Sequence, residues 1–183
     1  MAKMGVDKMI FRKATVNDIS AIAQIYERIH TEEEAGRTSI GWIRGIYPTQ
    51  ATAEAALARG DLFAAEDSGR VIGAAIINRQ QVDVYAEGNW EYPAPDSEVM
   101  VLHTLVIAPE SMGRGCGPQF VKFYEEYAAA QGCGYLRMDT NTRNARARAL
   151  YKKLGYREIG TVPCVFNGIP GVPLVLLEKK LPL

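Results

Sequence analysis

Residues 9–14 alternate between apolar and polar types, the period of a half-buried strand. The period then changes. Thr15 and Asp18 are N-cap residue types, and Ile19, Ile22, Ala23, Tyr26 and Ile29 recur at helical spacing, which predicts a helix to Glu34. Residues 42–48 break the pattern, and 52–59 predict a short helix stopped by Gly60. Residues 62–66 and 70–78 predict two strands joined by the turn Asp67-Ser68-Gly69. Residues 78–96 are polar, carry Pro93 and Pro95, and predict loop or edge.

Residues 99–107 are almost continuously apolar, as a central strand buried on both faces should be. A glycine-containing loop follows, then a helix with Pro118 in its first turn and Phe120, Phe123, Tyr124, Tyr127 and Ala128 on one face. Gly132 and Gly134 stop it, and 135–140 predict another strand. Asn144 is placed to cap a last helix with Ala147, Leu150, Tyr151 and Leu154 on its buried face, and Gly155 sits at its left-handed C-terminal cap. Residues 156–180 read as one or two strands around the turn-rich stretch 167–171. The order β-α-α-β-β-β, then α-β-α-β-β, predicts an α+β, or mixed α/β, sheet with helices on both faces.

Composition changes this picture little. The 183 residues fit a single domain over 1–183, with 48% apolar residues to fill a core. Twenty-one basic residues balance 21 acidic ones, so the net charge is zero. Nothing there points to nucleic acid or to an anionic membrane. No apolar run is long enough to span a bilayer, and residues 1–13 lack the apolar stretch of a leader. The three cysteines, Cys116, Cys133 and Cys164, have neither zinc-site nor disulfide spacing. The expectation is a cytoplasmic protein with reduced thiols and no metal. A homodimer stays open as its assembly state.

Strand, then Met112-Gly113-Arg114-Gly115-Cys116-Gly117, then helix is the arrangement that carries chemistry. Three glycines uncover the backbone, so successive N–H groups can converge on an anion at a helix start. Arg114 could reach a phosphate from the same loop. Taken alone, the loop is equally a tight strand-to-helix connection. A P-loop would need Lys-Ser or Lys-Thr after its last glycine, and both are absent. A dinucleotide fold would use Asp139 as its ribose acid, but the glycines follow the strand only after a detour, and too little chain remains for its other strands.

The span 102–156 resembles the GCN5-related N-acetyltransferase (GNAT) family. The cofactor motif of that family, Gln or Arg-x-x-Gly-x-Gly or Ala, falls on Met112, Gly115 and Gly117. Its later motif falls on Asn144, Ala147, Leu150, Tyr151, Lys153, Gly155 and Tyr156 without a mismatch. Met112 is the one departure, standing where Gln or Arg is usual.

The resemblance implies a mostly antiparallel mixed sheet with a splayed central strand pair. It implies acetyl-CoA as co-substrate and direct transfer to a primary amine of a small molecule, an amino-acid derivative or a peptide. The cofactor would meet Leu105, Val106 and Ile107 through backbone groups, the loop Met112, Gly113, Arg114, Gly115, Cys116 and Gly117, and Asn144 and Tyr151. Tyr151 matches the tyrosine that protonates the leaving sulfur, although its helix position equally suits the core.

His103 resembles the strand histidine of arylalkylamine acetyltransferases and is the candidate base, with a partly buried structural histidine as the plain alternative. Asp96, Glu98 or solvent are other bases. Arg143, Arg146 and Arg148 could meet the 3′-phosphate or be a solvated face. Trp42, Tyr47, Trp90 and Tyr92, with residues 167–173, would border the acceptor cleft. A non-catalytic acyl-CoA-binding module on the same fold is the rival function.

Overall fold

The computed structural model describes residues 9–182. Residues 1–8 and 183 lie outside it, and with them most of the stretch read for a leader. The strands are β1 Ile10–Lys13, β2 Leu62–Asp67, β3 Arg70–Asn78, β4 Val99–Ile107, β5 Tyr135–Asn141, β6 Arg157–Phe166 and β7 Ile169–Lys180. The helices are α1 Ile19–Glu34, α2 Gln50–Arg59, α3 Cys116–Ala130 and α4 Ala145–Lys153. The seven strands form one sheet in the order β1-β2-β3-β4-β5-β7-β6. Only β4 and β5 pair in parallel, and the other neighbours are antiparallel.

The burial pattern follows from the strand period. Met100, Leu102, Leu136 and Met138 face α3 and α4, where Phe120, Tyr124 and Tyr151 complete one core. Leu62, Ala74, Ile76 and Val106 face α1 and α2 on the opposite side. The rest of that side, at Val99, Val101, Leu174 and Leu176, is covered by Tyr85 and its loop instead of a helix. Residues 78–96 look like loop in the sequence because they are polar, and the segment between β3 and β4 runs over 79–98. It nevertheless carries two short 3₁₀ turns, Asp83–Glu87 and Asp96–Glu98, and packs as a strap.

Two local features open the sheet at its middle. The parallel ladder runs from Val99↔Tyr135 to Leu102↔Met138 and stops there. β5 continues along β7 to Asn141↔Leu174, while β4 follows β3 to Gly73↔Ile107. The two strands therefore part company at their C-terminal ends. Within β4, Ala74 faces Val106 but Ile76 faces His103, so one extra residue bulges out around Thr104. Thr104 sits at φ 50°, a region that a β-branched residue occupies only when its surroundings impose it.

Candidate active site at the strand splay

A cleft of about 380 Å³ occupies this gap. Val101 and His103 share one strand face, and Arg137 and Asp139 share the same face of β5. Tyr151 comes from α4 on the other face, yet lines the same cleft as His103 and Asp139. The opening thus joins the two sides of the sheet. On the α1–α2 side it is bordered by Trp42, Tyr47 and Phe166. Tyr47 meets both of those rings, at centroid separations of 5.9 and 6.3 Å, and its hydroxyl pairs with that of Thr104.

On the α3–α4 side lies the glycine loop. Gly113 and Gly115 adopt φ 79° and 82°, a left-handed backbone that glycine takes without a Cβ penalty. A Cβ at Gly113 would meet nothing within 4 Å, so the loop surface is open to an anion. Gly115 is the N-cap of α3, which aims the free N–H groups of that helix start outward. Pro118 falls within the first turn of the helix, as its position predicts. Cys116 is buried, and burial pushes its thiol up to about 11, so it is an inert packing residue.

The loop's cations are distributed unevenly. Arg114 is paired with the buried Asp67 at 2.9 Å. Arg148 is held by Glu158 and the Thr142 carbonyl. Arg143 is exposed, with its backbone N–H bonded to Asn141 Oδ1 at 3.0 Å. Arg146 rests a guanidinium nitrogen on Met112 Sδ at 3.2 Å. The side chain that departs from the family pattern therefore has an arginine from α4 beside it. Asn144 caps α4, accepting from the Ala147 N–H at 3.2 Å, and also lines the cleft.

His103 is tied into a chain of polar groups. Asn78 Oδ1 accepts from the Gln80 N–H at 2.9 Å, and Asn78 Nδ2 donates to Asp61 at 2.8 Å. That fixes the amide orientation, so His103 Nε2, 3.0 Å from the same Oδ1, must donate. Arg59 closes the chain with two bonds to Asp61, at 2.9 and 3.2 Å. Desolvation holds the His103 pKa down at about 4, so the ring is neutral at pH 7.

Asp139 is the residue whose part at this site sequence reasoning missed. Burial raises its carboxyl to about 6, against a hydrogen bond from the Tyr85 hydroxyl at 2.7 Å that favours the ionised form. The available signal was two charged residues two positions apart, Arg137 and Asp139, on one face of a central strand. Tyr151 is buried and its pKa is raised by desolvation and by Asp139, so its phenol stays protonated.

Four residues expected at the site stand elsewhere. Trp90 and Tyr92 do not border the cleft: Trp90 stacks under the Arg137 guanidinium at 4.1 Å, and Tyr92 packs against Tyr135. Asp96 and Glu98 are exposed and do not line the cleft, and Asp96 accepts from Gln81 instead. All four belong to the strap over β4 and β5. Residues 167–173 do reach the site, since Asn167, Ile169 and Val172 line it.

The site thus combines a mixed sheet with a splayed parallel pair, an open glycine loop on one side and an acid-bearing pocket on the other. Residues 20–156 match the acetyltransferase (GNAT) family, and the chain belongs to it. It is accordingly an acetyl-CoA-dependent acyltransferase by class. An uncharacterized N-acetyltransferase of Bacillus subtilis (strain 168) is 29% identical over 46% of this chain, which spans 64% of that relative's length. Another, of Methanocaldococcus jannaschii, is 26% identical over 95% of this chain and 93% of its own. A GNAT-family acetyltransferase structure from Streptococcus agalactiae superposes with a TM-score of 0.80 at 22% identity, covering 96% of each chain. The structure of an acetyltransferase from Salmonella typhimurium with its cofactor acetyl-CoA gives 0.65 at 20% identity, covering 95% and 94%.

Proposed function

We propose that this protein transfers the acetyl group of acetyl-CoA to a primary amine of a small molecule, with Tyr151 and Asp139 handling the protons. The observation that carries this reading is the cleft at the splay, where a protonated phenol and a carboxylate raised to about 6 line one chamber.

The residues fit acetyl-CoA. The edge of β4 beyond Leu102 has no ladder to β5, which leaves backbone groups of residues 103–107 available to an extended arm. Leu105, Val106 and Ile107 would meet that arm. The open loop around Gly113 and Gly115 would hold the pyrophosphate, with Met112, Cys116 and Gly117 shaping it. Arg146 is better placed than Arg114 to add a cation, because Arg114 already faces Asp67. Bound acetyl-CoA supplies a thioester that an amine can acylate itself on.

An alkyl ammonium must lose a proton before it attacks. Asp139 sits on the acceptor side of the opening, and its raised pKa lets it take that proton near neutral pH. His103 is a weaker choice. Its Nε2 already donates to Asn78, and with a pKa near 4 the ring holds a proton poorly. It acts in this reading as a fixed polar wall. As the C–N bond forms and the C–S bond breaks, the departing sulfur needs a donor. Tyr151 lines the cleft, and its hydroxyl has no hydrogen bond to any described residue, so it is free to donate.

Thiol release from acetyl-CoA over a panel of primary amines tests the reading. The expected result is amine-dependent release that saturates in both substrates. Tight binding of acetyl-CoA with no amine-dependent release would instead favour the non-catalytic module.

A further inference from the structure

Arg59 stands at the last turn of α2 and lines the cleft together with Asp139. Its Nε and Nη2 edge is taken by Asp61, a buried carboxylate that is itself held by Asn78. Its Nη1 has no partner among the described residues. The guanidinium is therefore held rigid on one edge while a donor is left over on the other. A fork held this way loses little side-chain entropy on meeting a planar acid. Burial is the main cause that raises the Tyr47 phenol; Asp139 adds to it and Arg59 works against it. Tyr47 borders the same cleft as both groups. Thr52 and Asn78 line the cleft as well, and Trp42 and Phe166 give it aromatic walls.

We infer that the acceptor is a small primary amine that also carries a carboxylate, with the amine toward Asp139 and the carboxylate on Arg59. This rests on the transferase reading above and narrows it. A plain alkylamine would leave the unpaired Arg59 donor without its ligand. An amino acid or a close derivative would satisfy both ends inside a chamber of about 380 Å³. The Arg59–Asp61–Asn78–His103 chain then has a purpose, because it sets the position of the carboxylate relative to the wall that His103 forms.

Calorimetry on CoA-loaded protein reads the acceptor class without turnover. The probes are phenylalanine, phenylalaninamide and phenethylamine, and methionine, methioninamide and 3-(methylthio)propylamine. Wild type should bind each amino acid at least about tenfold more tightly than its amide or decarboxylated partner. Arg59→Gln should erase that ratio while leaving CoA affinity unchanged, and Arg59→Lys should restore part of it. A melting curve confirms that each variant is folded. Equal or tighter binding of the partners that lack a carboxylate, an unchanged ratio in folded Arg59→Gln, or no binding of any probe would overturn the inference. Thiol release with the same probes separates the two readings. Carboxylate preference in binding without release sinks the transferase and keeps the acceptor class. Release on amines without preference does the reverse.

Discussion

At the scale of single residues, burial sets the chemistry. Asp139, His103 and Tyr151 share one chamber, and desolvation moves each away from its charged form. The result is a neutral imidazole, a protonated phenol and a carboxyl near the middle of the useful range. Tyr151→Phe keeps the ring packing against Tyr156, 6.0 Å away, and removes only the hydroxyl. Steady-state kinetics should show kcat reduced by about one to two orders of magnitude with the KM for acetyl-CoA nearly unchanged. Unchanged kcat in the folded variant would remove the donor role. The residues of this centre were unequally visible in the sequence. Tyr151 was legible because it falls in a motif. Asp139 was not, because what raises its pKa is burial, with the Tyr85 hydroxyl of the strap pulling the other way, and both depend on tertiary packing.

At the scale of elements, the strand and helix order was legible almost throughout, because hydrophobic period and capping residues agreed along the chain. The extra residue in β4 was not. The string Leu102–Leu105 reads as plain strand, and only the register against β3 reveals the bulge. The strap was misjudged for a related reason. Trp90 and Tyr92 sit in a polar segment, and what calls them away from the cleft is the buried Arg137 on β5. The glycine loop was legible as a turn into a helix, and its proposed part as an anion cradle makes a prediction. Gly115→Ala would place a Cβ on a left-handed N-cap. It should lower stability by about 1 kcal/mol and weaken CoA binding, read by thermal melting and calorimetry. Wild-type affinity in this variant would mean that the loop backbone does not hold the cofactor.

At the scale of the whole molecule, the sheet carries helices on both faces and the splay joins the two sides. Its outer edge is fixed by Arg12, which bonds Asp18 at the start of α1 and Glu66 on β2. Arg12 and the Thr15 N–H hold the Asp18 carboxyl down at about 2. Because the folded pKa lies below the unfolded value, the stabilisation is present above pH ~4 and is lost as pH falls toward 2. Its size is at most about 2 kcal/mol. Asp18→Asn should therefore lower the melting temperature at pH 7 and flatten the loss of stability between pH 4 and 2, as acid-unfolding curves would show. The membrane question has a bounded answer, since no helix among the described residues is long and apolar enough to cross one.

The central claim is that Asp139 takes the acceptor's proton in this cleft. The most direct test is the pH profile of kcat/KM for amine-dependent thiol release, with wild type beside Asp139→Asn. Wild type should rise along an acidic limb centred near pH 6, the value burial gives this carboxyl. The variant should fold, bind acetyl-CoA, and lose about two orders of magnitude in rate together with that limb. A folded Asp139→Asn protein with the wild-type profile would contradict the account.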